Sequence, residues 1–588
     1  MEQRKEQKKE QRVYAAFGRG ARRDWKRAAR KTVFSHYWMA IMVCLVAAFL
    51  GTEFTGSLES LHFTRQKWDV ISNFLASFGR PGAAANSRGV FAIAVNKIAD
   101  GSLQNIVNNT IMSLAGSSEF WQSFGIVVSS LVSMTYWVLV THTFVVILRR
   151  LFMEMRVYEE VPPYRALYLH SARCWGRTSL ALLRVAVQRG LWWLTIIGGA
   201  IKTFSYYLCG FILAENPTMK GGDAIALSRK MMNGHKWECF LLELSFVPWH
   251  LLSLATFGLS SLFYSSAYLS AARCEFYAAV RAQVKAEGEA QALRDTYLFE
   301  KAGEKTLRRA YNDLGRPAEK LPARVYGNRV TRFFGECLGV TLFVNPQDVA
   351  REKIQDREYR LRYMRRCEQG LSYPIRLSPL LQYEHKDHEP ALFTRKYPVT
   401  TLVLLFFLFS IIGWCWEVVL HLLSEGTFVN RGVLHGPWLP IYGTGGVLVL
   451  LTLYKLRDKP WLEFWATVVV CGVVEYFTAY YLETVYDRRW WDYAGYFLNL
   501  HGRICAEGLL VFGLGGMAVV YGVAPLFDNL LHKVRHSVLI GLCAALIALF
   551  CVDQAYSHFH PNEGEGITDE VVYKTDDARI RLDEEAFV

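Results

Sequence analysis

The segment "NRGVLHGPWLPIYGTGGVLVLLTLY" (residues 430–454) places polar and helix-breaking residues directly before a long aliphatic run. It contains Arg431, His435 and Tyr442, together with two prolines and five glycines, of which Gly443, Gly445 and Gly446 are expected to allow close helix packing. The aliphatic run is apolar enough to enter a membrane, yet a plain lipid anchor requires neither charges nor prolines. The segment therefore predicts a membrane helix with an irregular entry, where polar side chains have a purpose inside the membrane.

Apolar runs of similar length recur along the 588-residue chain, of which 52% is hydrophobic. A helix needs about 20 such residues to cross roughly 30 Å of hydrocarbon. We therefore expect an all-α, polytopic transmembrane protein with about 10–11 membrane helices in two blocks. The predicted parts are a basic cytoplasmic N-terminus (1–32), a first transmembrane block (33–283), a charged cytoplasmic linker (284–396), a second transmembrane block (397–556) and an acidic tail (557–588).

The positive charge of the chain indicates its orientation in the membrane. The net charge is +13, and the first 31 residues hold twelve Lys or Arg against four Asp or Glu. A basic flank of this kind stays in the cytosol beside anionic lipid, and it is too long for the start of a cleaved signal peptide. We expect a multi-pass protein of the bacterial cytoplasmic (cell) membrane, with a cytoplasmic N-terminus and membrane lipids as partners. Nucleic acid is not an expected partner.

Two features of the first block carry structural expectations. The second apolar span, near 120–148, is expected to stop at Arg149 and Arg150. The apolar zone 178–213 contains "IIGGAIK" (196–202), and the positive-inside bias favours a hairpin broken there, since glycine permits such a break. The linker that follows this block is expected to be a solvated connector with one helix near 345–369.

Acidic side chains in the second block fall inside predicted membrane helices, together with basic companions. A charge at mid-bilayer costs about 2.5–3.5 kcal/mol on insertion scales, so each needs a partner or a wet cavity. With a rise of about 1.5 Å per residue, the alternating helices bring these groups to similar depth in the outer half of the membrane. We predict a polar, substrate-binding pocket made by Glu417, Arg431, His435, Tyr442, Glu475, Arg503 and Glu507.

Other interpretations of these residues stay open at the sequence level. Arg503 and Glu507 are four residues apart and could form an ion pair within one helix. Glu417 and Glu475 could be protonated core residues, so that the whole set is a structural network. In a hydrolytic or transfer site, His435 and Glu475 would act as base or acid. The twelve cysteines lack any C-x-x-C spacing, so no metal or other cofactor is expected.

Motifs in each half of the chain resemble a known family. The stretch "AENPTMKGGDAIALSRKMMNGHKWECFLLELSFVPW" (214–249) resembles the bacterial membrane family called domain of unknown function 975. That family is a distant relative of the membrane domain of glycerophosphodiester phosphodiesterases, and the resemblance covers about residues 20–285. Those relatives carry their catalysis in a separate soluble barrel, which residues 281–395 are too short and too polar to form.

The second block is similar to the ABC-transporter type IV family over about residues 398–540. The motifs are the opening segment together with "GWCWE" (413–417), "VVEYFTAYYLE" (473–483), "WWDY" (490–493) and "LNLHGRICAEG" (498–508). The resemblance implies a permease. The chain has no G-x-x-x-x-G-K-[ST] motif, so any ATPase would be a separate subunit. The two tryptophans and the tyrosine of WWDY are interpreted as interfacial aromatic residues.

These observations favour one function and leave two alternatives. We expect a permease-like component that handles a small or lipidic solute through the outer-leaflet pocket of the second block. The alternatives are a non-transporting scaffold or assembly factor, and an intramembrane enzyme that acts on lipid or envelope intermediates. No residue is assigned a catalytic role, because no nucleotide-binding or hydrolase motif is present.

Overall fold

Helices dominate the part of the chain that the structure describes, and the strands found there are four of two residues each. The computed structural model describes residues 17–54, 119–256, 258–288, 291–312, 326–342, 346–379, 393–425, 428–486, 488–489, 491–493, 500–563, 567 and 569–570. The first sixteen residues of the basic N-terminus and most of the acidic tail lie outside these ranges. The all-α class predicted from the sequence is confirmed.

The helices of the N-terminal half follow one another closely. They are α1 (Arg19–Ser35), α2 (Tyr37–Phe49), α3 (Glu119–Tyr136), α4 (His142–Val157), α5 (Tyr168–Ser171), α6 (Trp175–Trp193), α7 (Ile197–Ser205), α8 (Cys209–Glu215), α9 (Gly221–Met231), α10 (Lys236–Leu244), α11 (Val247–Ala255), α12 (Ser266–Ala286) and α13 (Glu304–Ala310). A single π-helical turn, Trp137–Thr141, joins α3 to α4, and another, Ser261–Ser265, precedes α12. Short 3₁₀ turns lie at Pro163–Leu167 and Thr296–Leu298.

The C-terminal half contains longer helices and the four short strands. In chain order these are α14 (Arg329–Cys337), β1 (Val340–Thr341), α15 (Pro346–Glu368), β2 (Tyr397–Pro398), α16 (Val399–Glu425), α17 (Pro440–Thr452), α18 (Pro460–Tyr486), β3 (Arg488–Arg489), α19 (Ala506–Ala518), α20 (Ala524–Leu531), α21 (His536–Phe559) and β4 (Asp569–Glu570). The π turn Val519–Val523 joins α19 to α20. Strand β1 pairs in parallel with β2, and β3 pairs antiparallel with β4.

Seven helical segments of the described chain are long and apolar enough to cross a membrane, and an eighth results if a bent pair counts as one span. The bent pair is α1 with α2, whose axes differ by 97°. The predicted 10–11 spans also included short apolar helices such as α17, which has 13 residues. The seven segments are Ser123–Val157, Ile197–Glu215, Lys236–Ala255, Val399–Val419, Pro460–Tyr486, Val511–Leu531 and His536–Phe559.

The chain divides into two compact units, each of which is described by itself. The first comprises residues 1–62, 95–319 and 357–388, and the second comprises residues 63–94, 320–356 and 389–588. In the first unit, α1 buries one residue per helical turn, namely Ala21, Trp25, Ala29 and Val33. Positions four apart share one helix face, so α1 is an amphipathic helix that packs on the unit through this stripe.

The second predicted span does not end at Arg149 and Arg150. Helix α4 continues to Val157, and both arginines are buried. Arg150 Nε lies 2.9 Å from Glu154 Oε1, and Arg150 Nη1 lies 3.1 Å from Asp295 Oδ2. The sequence-based expectation was wrong because a charge inside an apolar helix can be compensated by a partner that is distant in sequence.

Two parts of the expected linker pack into the first unit. Asp295 and Tyr373 are both 1% exposed, and the Tyr373 hydroxyl donates to Asp295 Oδ2 at 2.6 Å. The Glu160 amide donates to the carbonyl of Leu371 at 3.0 Å. These parts are therefore not a solvated connector, since a buried carboxylate holds them to Arg150. The predicted linker helix is present as α15.

The break predicted within zone 178–213 is confirmed, and the helices on its two sides form a hairpin. Helix α6 ends at Trp193, and α7 begins at Ile197 within the quoted glycine motif. A Cβ atom on Gly199 would lie 2.6 Å from Trp193 Cδ2, so only glycine fits this tight return. Helix α9 lies along this hairpin, because the Ser228 hydroxyl donates to the Ser205 carbonyl at 2.9 Å.

The second unit is a bundle in which glycines bring helices into close contact. Helix α16 packs on α17, α17 on α18, and α18 on α19. A Cβ atom on Gly443 would lie 2.5 Å from the Phe406 carbonyl oxygen, and one on Gly446 would lie 2.4 Å from Phe409. The close packing predicted at these two glycines is confirmed. Gly445 differs, because a Cβ atom there would meet nothing within 4 Å.

We expect Arg150→Met to destabilise the first unit by about 3 kcal/mol, because the change leaves a buried carboxylate without its charged partner. Arg150 is fully buried and is the cation that pairs with Asp295. Thermal unfolding of the detergent-purified protein, followed by tryptophan fluorescence, measures the effect. The control is Arg27→Met, since the Arg27 side chain is 85% exposed. Equal melting temperatures for the two variants would contradict this role of Arg150.

Candidate functional site

A cavity of about 1770 Å³ lies within the second unit. Its walls come from α16, α17, α18, α19 and α21 and from the non-helical stretches 428–439 and 491–493. Most of the wall is apolar, with Phe409, Ile412 and Phe512 among the lining residues. Ligand pockets for small molecules usually occupy roughly 300–1,000 Å³, so this cavity has room for a larger molecule.

Four of the predicted site residues line this cavity: Glu417, Arg431, Tyr442 and Glu475. Glu417 lies on α16, and its Oε1 accepts a hydrogen bond from the Tyr442 hydroxyl on α17 at 2.6 Å. The Tyr442 ring fits because residue 413 is glycine, where a Cβ atom would lie 2.3 Å from Tyr442 Cγ. The GWCWE motif thus supplies both the carboxylate and the space for its phenol partner.

A second tyrosine–glutamate pair faces the same cavity. Glu475 on α18 is 3% exposed, and its Oε1 accepts from the Tyr493 hydroxyl at 3.0 Å. Burial, followed by the charges of Glu475 and Glu417, raises the pKa of the Tyr493 phenol well above its usual value. The phenol is therefore protonated at neutral pH and acts as the donor. Oε2 of Glu475 is buried and has no hydrogen-bond partner among the described residues.

Arg431 is the guanidinium that lines the cavity with these two carboxylates. Its positive charge acts on Tyr442, as do the charges of Glu417 and Glu475. The polar part of the cavity therefore includes two tyrosine–glutamate pairs and one guanidinium, and Asp492, His421 and His558 also line the wall, which is mainly apolar. Such a surface can bind a polar or charged group while the rest of a molecule contacts apolar side chains.

The stretch 428–439 is non-helical, and one carboxylate on α21 holds it. Oδ1 of Asp553 accepts from the backbone amide of His435 at 3.2 Å, and Oδ2 accepts from the amide of Gly436 at 2.9 Å. Oδ2 also accepts from the Trp438 indole at 2.7 Å. Irregular backbone at membrane depth requires such partners, so Asp553 permits the broken entry predicted for α17.

Two amide side chains, those of Asn562 and Asn430, also hold the stretch. The Asn562 side-chain nitrogen donates to the carbonyls of Asn430 and Gly432 at 2.8 and 2.9 Å. The Asn430 side-chain nitrogen donates to the His435 carbonyl at 3.0 Å, and its oxygen accepts from the Trp414 indole at 2.6 Å. The stretch is therefore fixed by side chains of α16 and α21, by Asn562 and by the bond from Asn430 to His435 within the stretch.

His435 is not among the residues that line the cavity. Its Nδ1 lies 2.9 Å from the Ser557 hydroxyl, and its ring packs on Tyr556 with a centroid distance of 5.1 Å. The structure therefore does not bring His435 to Glu475, as the acid–base interpretation requires. Loop geometry explains the difference, because the backbone bonds to Asp553 turn residue 435 towards α21.

Arg503 also lies apart from the cavity, and it does not form the intrahelical pair considered from the sequence. Helix α19 begins at Ala506, so Arg503 precedes it. The Arg503 guanidinium donates through Nε and Nη2 to Oε2 of Glu483 at 3.0 and 2.6 Å. Glu507 lies in the first turn of α19, and its side chain is outside the described part of the structure.

Arg503 instead helps to position Tyr493. The Arg503 carbonyl accepts from the Trp491 indole at 3.1 Å, and the Gly502 carbonyl accepts from the Tyr493 amide at 2.7 Å. These bonds hold the segment that delivers the Tyr493 phenol to Glu475. The WWDY motif was interpreted as an ordinary interfacial belt, and its tyrosine was missed as a site residue.

Asp553 was also missed, although the sequence carried a signal for it. It is a single carboxylate within the apolar sequence of the last predicted span. Intramembrane acids are expensive and therefore indicate a partner or a site. Glu463 on α18 is a similar case, since it is fully buried and Oε1 accepts from the Thr467 hydroxyl at 3.0 Å.

The fold and the cavity together define a multi-pass, all-helical membrane protein whose second unit contains a mainly apolar cavity with a few polar groups. Comparison with known families agrees with the motifs in each half of the chain. Residues 404–558 match the family described as "Putative ABC-transporter type IV", and residues 29–284 match the family described as "Protein of unknown function (DUF975)". Both resemblances read from the motifs are confirmed. No curated protein and no solved structure matches the chain.

We expect Asp553→Asn to free the stretch 428–439, because an amide has one acceptor oxygen where the carboxylate has two. The two backbone amides that Asp553 holds, those of His435 and Gly436, would exchange hydrogen for deuterium much faster. Exchange measured by mass spectrometry tests this expectation. His435→Ala is the control, because it keeps the backbone amide that Asp553 binds. Unchanged protection of residues 435 and 436 in Asp553→Asn would refute the assignment.

Proposed function

We propose that the protein is a permease-like component of the membrane that handles a small or lipidic solute through the cavity of its second unit. One observation carries this proposal. Two tyrosine–glutamate pairs face one large, mainly apolar cavity, and one oxygen of the buried Glu475 carboxylate has no partner among the described residues. A buried carboxylate without its full set of hydrogen bonds is costly, and a bound solute would supply the missing donor.

The composition of the cavity supports a solute with both polar and apolar parts. The carboxylates of Glu417 and Glu475 would accept from an ammonium or hydroxyl group, and Arg431 would bind an anionic group. The apolar wall near Phe512 would contact the remainder of the molecule. A volume of about 1770 Å³ suits a lipid headgroup with part of its chains as well as a smaller metabolite.

The proposal includes a location and partners. We propose that the cavity opens towards the outer leaflet of a bacterial cytoplasmic membrane, with the N-terminus in the cytosol, because the basic residues concentrate at that end of the chain. Membrane lipids would surround the helices. A separate ATPase subunit would supply energy, since this chain has no nucleotide-binding motif.

The two alternatives differ in what they require of Glu475. An intramembrane enzyme requires a base or acid next to Glu475, and His435 instead contacts Ser557 on α21. A non-transporting scaffold requires only that the acids stabilise the bundle. Removing the charge of Glu475 would then lower stability and leave no specific loss of ligand binding.

Accessibility of the cavity can be tested with an engineered thiol at Gly445. Gly445 lines the cavity and has space for a side chain, so we expect Gly445→Cys to react with a membrane-impermeant methanethiosulfonate added outside intact cells. Gly541→Cys is the matched control, because Gly541 is exposed on α21 and also has space. We expect roughly tenfold faster labelling at position 445, because a thiolate forms only in contact with water.

The native cysteines must be removed for this measurement. Cys415 and Cys551 are exposed and Cys471 lines the cavity, so these three are replaced by alanine in the background chain. Equal labelling at positions 445 and 541 would contradict an outward-facing, water-accessible cavity. Labelling of position 445 only from the cytosolic side would overturn the outer-leaflet assignment and keep the cavity.

A second prediction concerns the solute itself. Purification of the full chain from its native membrane, followed by native mass spectrometry, is expected to find a small molecule or lipid bound to the wild-type protein and lost in Glu475→Gln. Glu463→Gln is the matched control, because Glu463 is equally buried on the same helix and does not line the cavity. The same purification is expected to recover an ATPase subunit.

The melting temperature separates the remaining outcomes. If Glu475→Gln and Glu463→Gln lose stability to the same extent and bind the same molecules as the wild-type protein, the acids serve the bundle and the scaffold function replaces the permease function. If Glu475→Gln folds normally and loses its ligand, the cavity is the binding site.

A further inference from the structure

Three cations gather beside the hairpin of the first unit without carboxylate partners. They are Lys202 on α7, Arg229 on α9 and Lys236 on α10. None of the three has a carboxylate oxygen within 4 Å among the described residues of the chain. Buried arginines elsewhere in this unit are paired with acids, whereas Arg229 is exposed and Lys202 and Lys236 are half-buried without such a partner in the described part of the chain.

Packing of the helices brings the three cations together. Helix α9 meets the end of α7 through the hydrogen bond from Ser228 to the Ser205 carbonyl, which places Arg229 next to that contact. Helix α7 also packs on α10, whose first residue is Lys236. The charges of Arg229 and Lys236 are the two that act on Lys202.

The two acids of α10, the helix that begins with Lys236, are bound to other arginines. Helix α10 carries Glu238 and Glu243. Glu238 forms an ion pair with Arg22, and Glu243 accepts from Arg273 through Nε at 2.8 Å and Nη2 at 2.9 Å. The fold therefore uses the nearby negative charge elsewhere and leaves the three cations to face the surroundings together.

A large apolar surface lies directly beside the cluster. At the tip of the hairpin, Leu194 is 82% exposed, Ile196 is 75% exposed and Ile197 is 77% exposed. Trp192 belongs to the same tip, and Lys202 Nζ lies 4.5 Å from the centre of its ring. Tryptophan beside lysine, next to exposed aliphatic side chains, is typical of a surface at the boundary between headgroups and acyl chains.

We propose that Lys202, Arg229 and Lys236 bind the phosphate group of an anionic phospholipid, whose acyl chains lie along the exposed hairpin tip. The cations account for the negative charge of the ligand, and the apolar tip accounts for its chains. A free phosphate ion would use the cations alone and would leave the adjoining apolar surface without a role. The site lies in the first unit and does not depend on the cavity of the second unit.

The test compares phospholipids of one chain length on the full-length protein in neutral detergent. We expect phosphatidylglycerol to raise the melting temperature and phosphatidylcholine to have little effect. The triple variant Lys202→Gln, Arg229→Gln, Lys236→Gln should bind phosphatidylglycerol more weakly by about fivefold for each neutralised cation. The matched control is Arg23→Gln, Arg27→Gln, Arg177→Gln, which removes three exposed cations elsewhere in the unit and should keep the wild-type response.

Folding of the triple variant is checked without lipid. The three cations repel one another, so their removal should leave the melting temperature equal to or above that of the wild-type protein. Should the triple variant melt lower, Arg229→Gln alone is used, since Arg229 is exposed on the surface of α9.

Three results would overturn the proposal. They are equal stabilisation by phosphatidylcholine, a full phosphatidylglycerol response in the variant, and the same stabilisation by millimolar inorganic phosphate. The last result would identify a site for soluble anions in place of a lipid site.

Discussion

The second unit depends on one constraint, which is that backbone polar groups inside a membrane must find partners within the protein. The stretch 428–439 is not helical, so its amides and carbonyls lack the usual internal bonds. Asp553 accepts from two of the amides, and Asn562 donates to two of the carbonyls. These side chains come from α21 and from the residues after it. They fix the stretch that precedes α17, which begins at Pro440. The late start of α17 leaves the space in which the cavity lies.

The centre of the first unit and the cavity of the second differ in the partners of their buried carboxyl groups, although the second unit also has a buried ion pair, Arg395 with Asp528. In the first, each of the central carboxylates meets a guanidinium: Glu215 accepts from Arg281, Glu154 from Arg165, and Asp295 from Arg150. Buried pairs of this kind fix segments relative to one another. Their carboxylates already have charged partners, so a ligand would add little further stabilisation. In the cavity of the second unit, the described partner of each glutamate is a phenol, which neutralises no charge. Electrostatics thus distinguishes a structural network from a candidate binding site.

Local sequence patterns predicted the membrane class, the hairpin break and the close packing at Gly443 and Gly446, because each depends on neighbours in sequence. The position of Arg150 could not be predicted in this way. Its partner Asp295 lies 145 residues further along the chain, and nothing in a single sequence links the two. An arginine near the end of an apolar run then looks like a stop, as it did here.

In the candidate site, the sequence predicts the depth of a side chain in the membrane but not the direction in which the side chain points. Helical rise predicted that Glu417 and Glu475 lie at a similar level, and they line one cavity. Depth alone does not give the direction in which a side chain points, and His435 and Arg503 face other partners. The direction of His435 depends on Asp553, and that of Arg503 depends on Glu483, which are both contacts across the bundle. Residue type and spacing therefore identify the acids of the site better than their companions.

The motifs of the second unit divide by role once the contacts are known. Glu417, Arg431, Tyr442, Glu475 and Tyr493 belong to the polar part of the cavity, and Gly413 leaves space for the Tyr442 ring. Other motif residues, among them Asn430, Trp491 and Arg503, hold the non-helical segments that carry these groups. A binding site needs a rigid frame whose own polar groups are satisfied, together with a few groups that are not. The loops of this unit are bound by several side chains each, while Oε2 of Glu475 has no partner among the described residues. Oε2 of Glu463 is also buried without a partner among the described residues, but Glu463 does not line the cavity, so ligand binding is assigned to the place where such an oxygen meets the cavity.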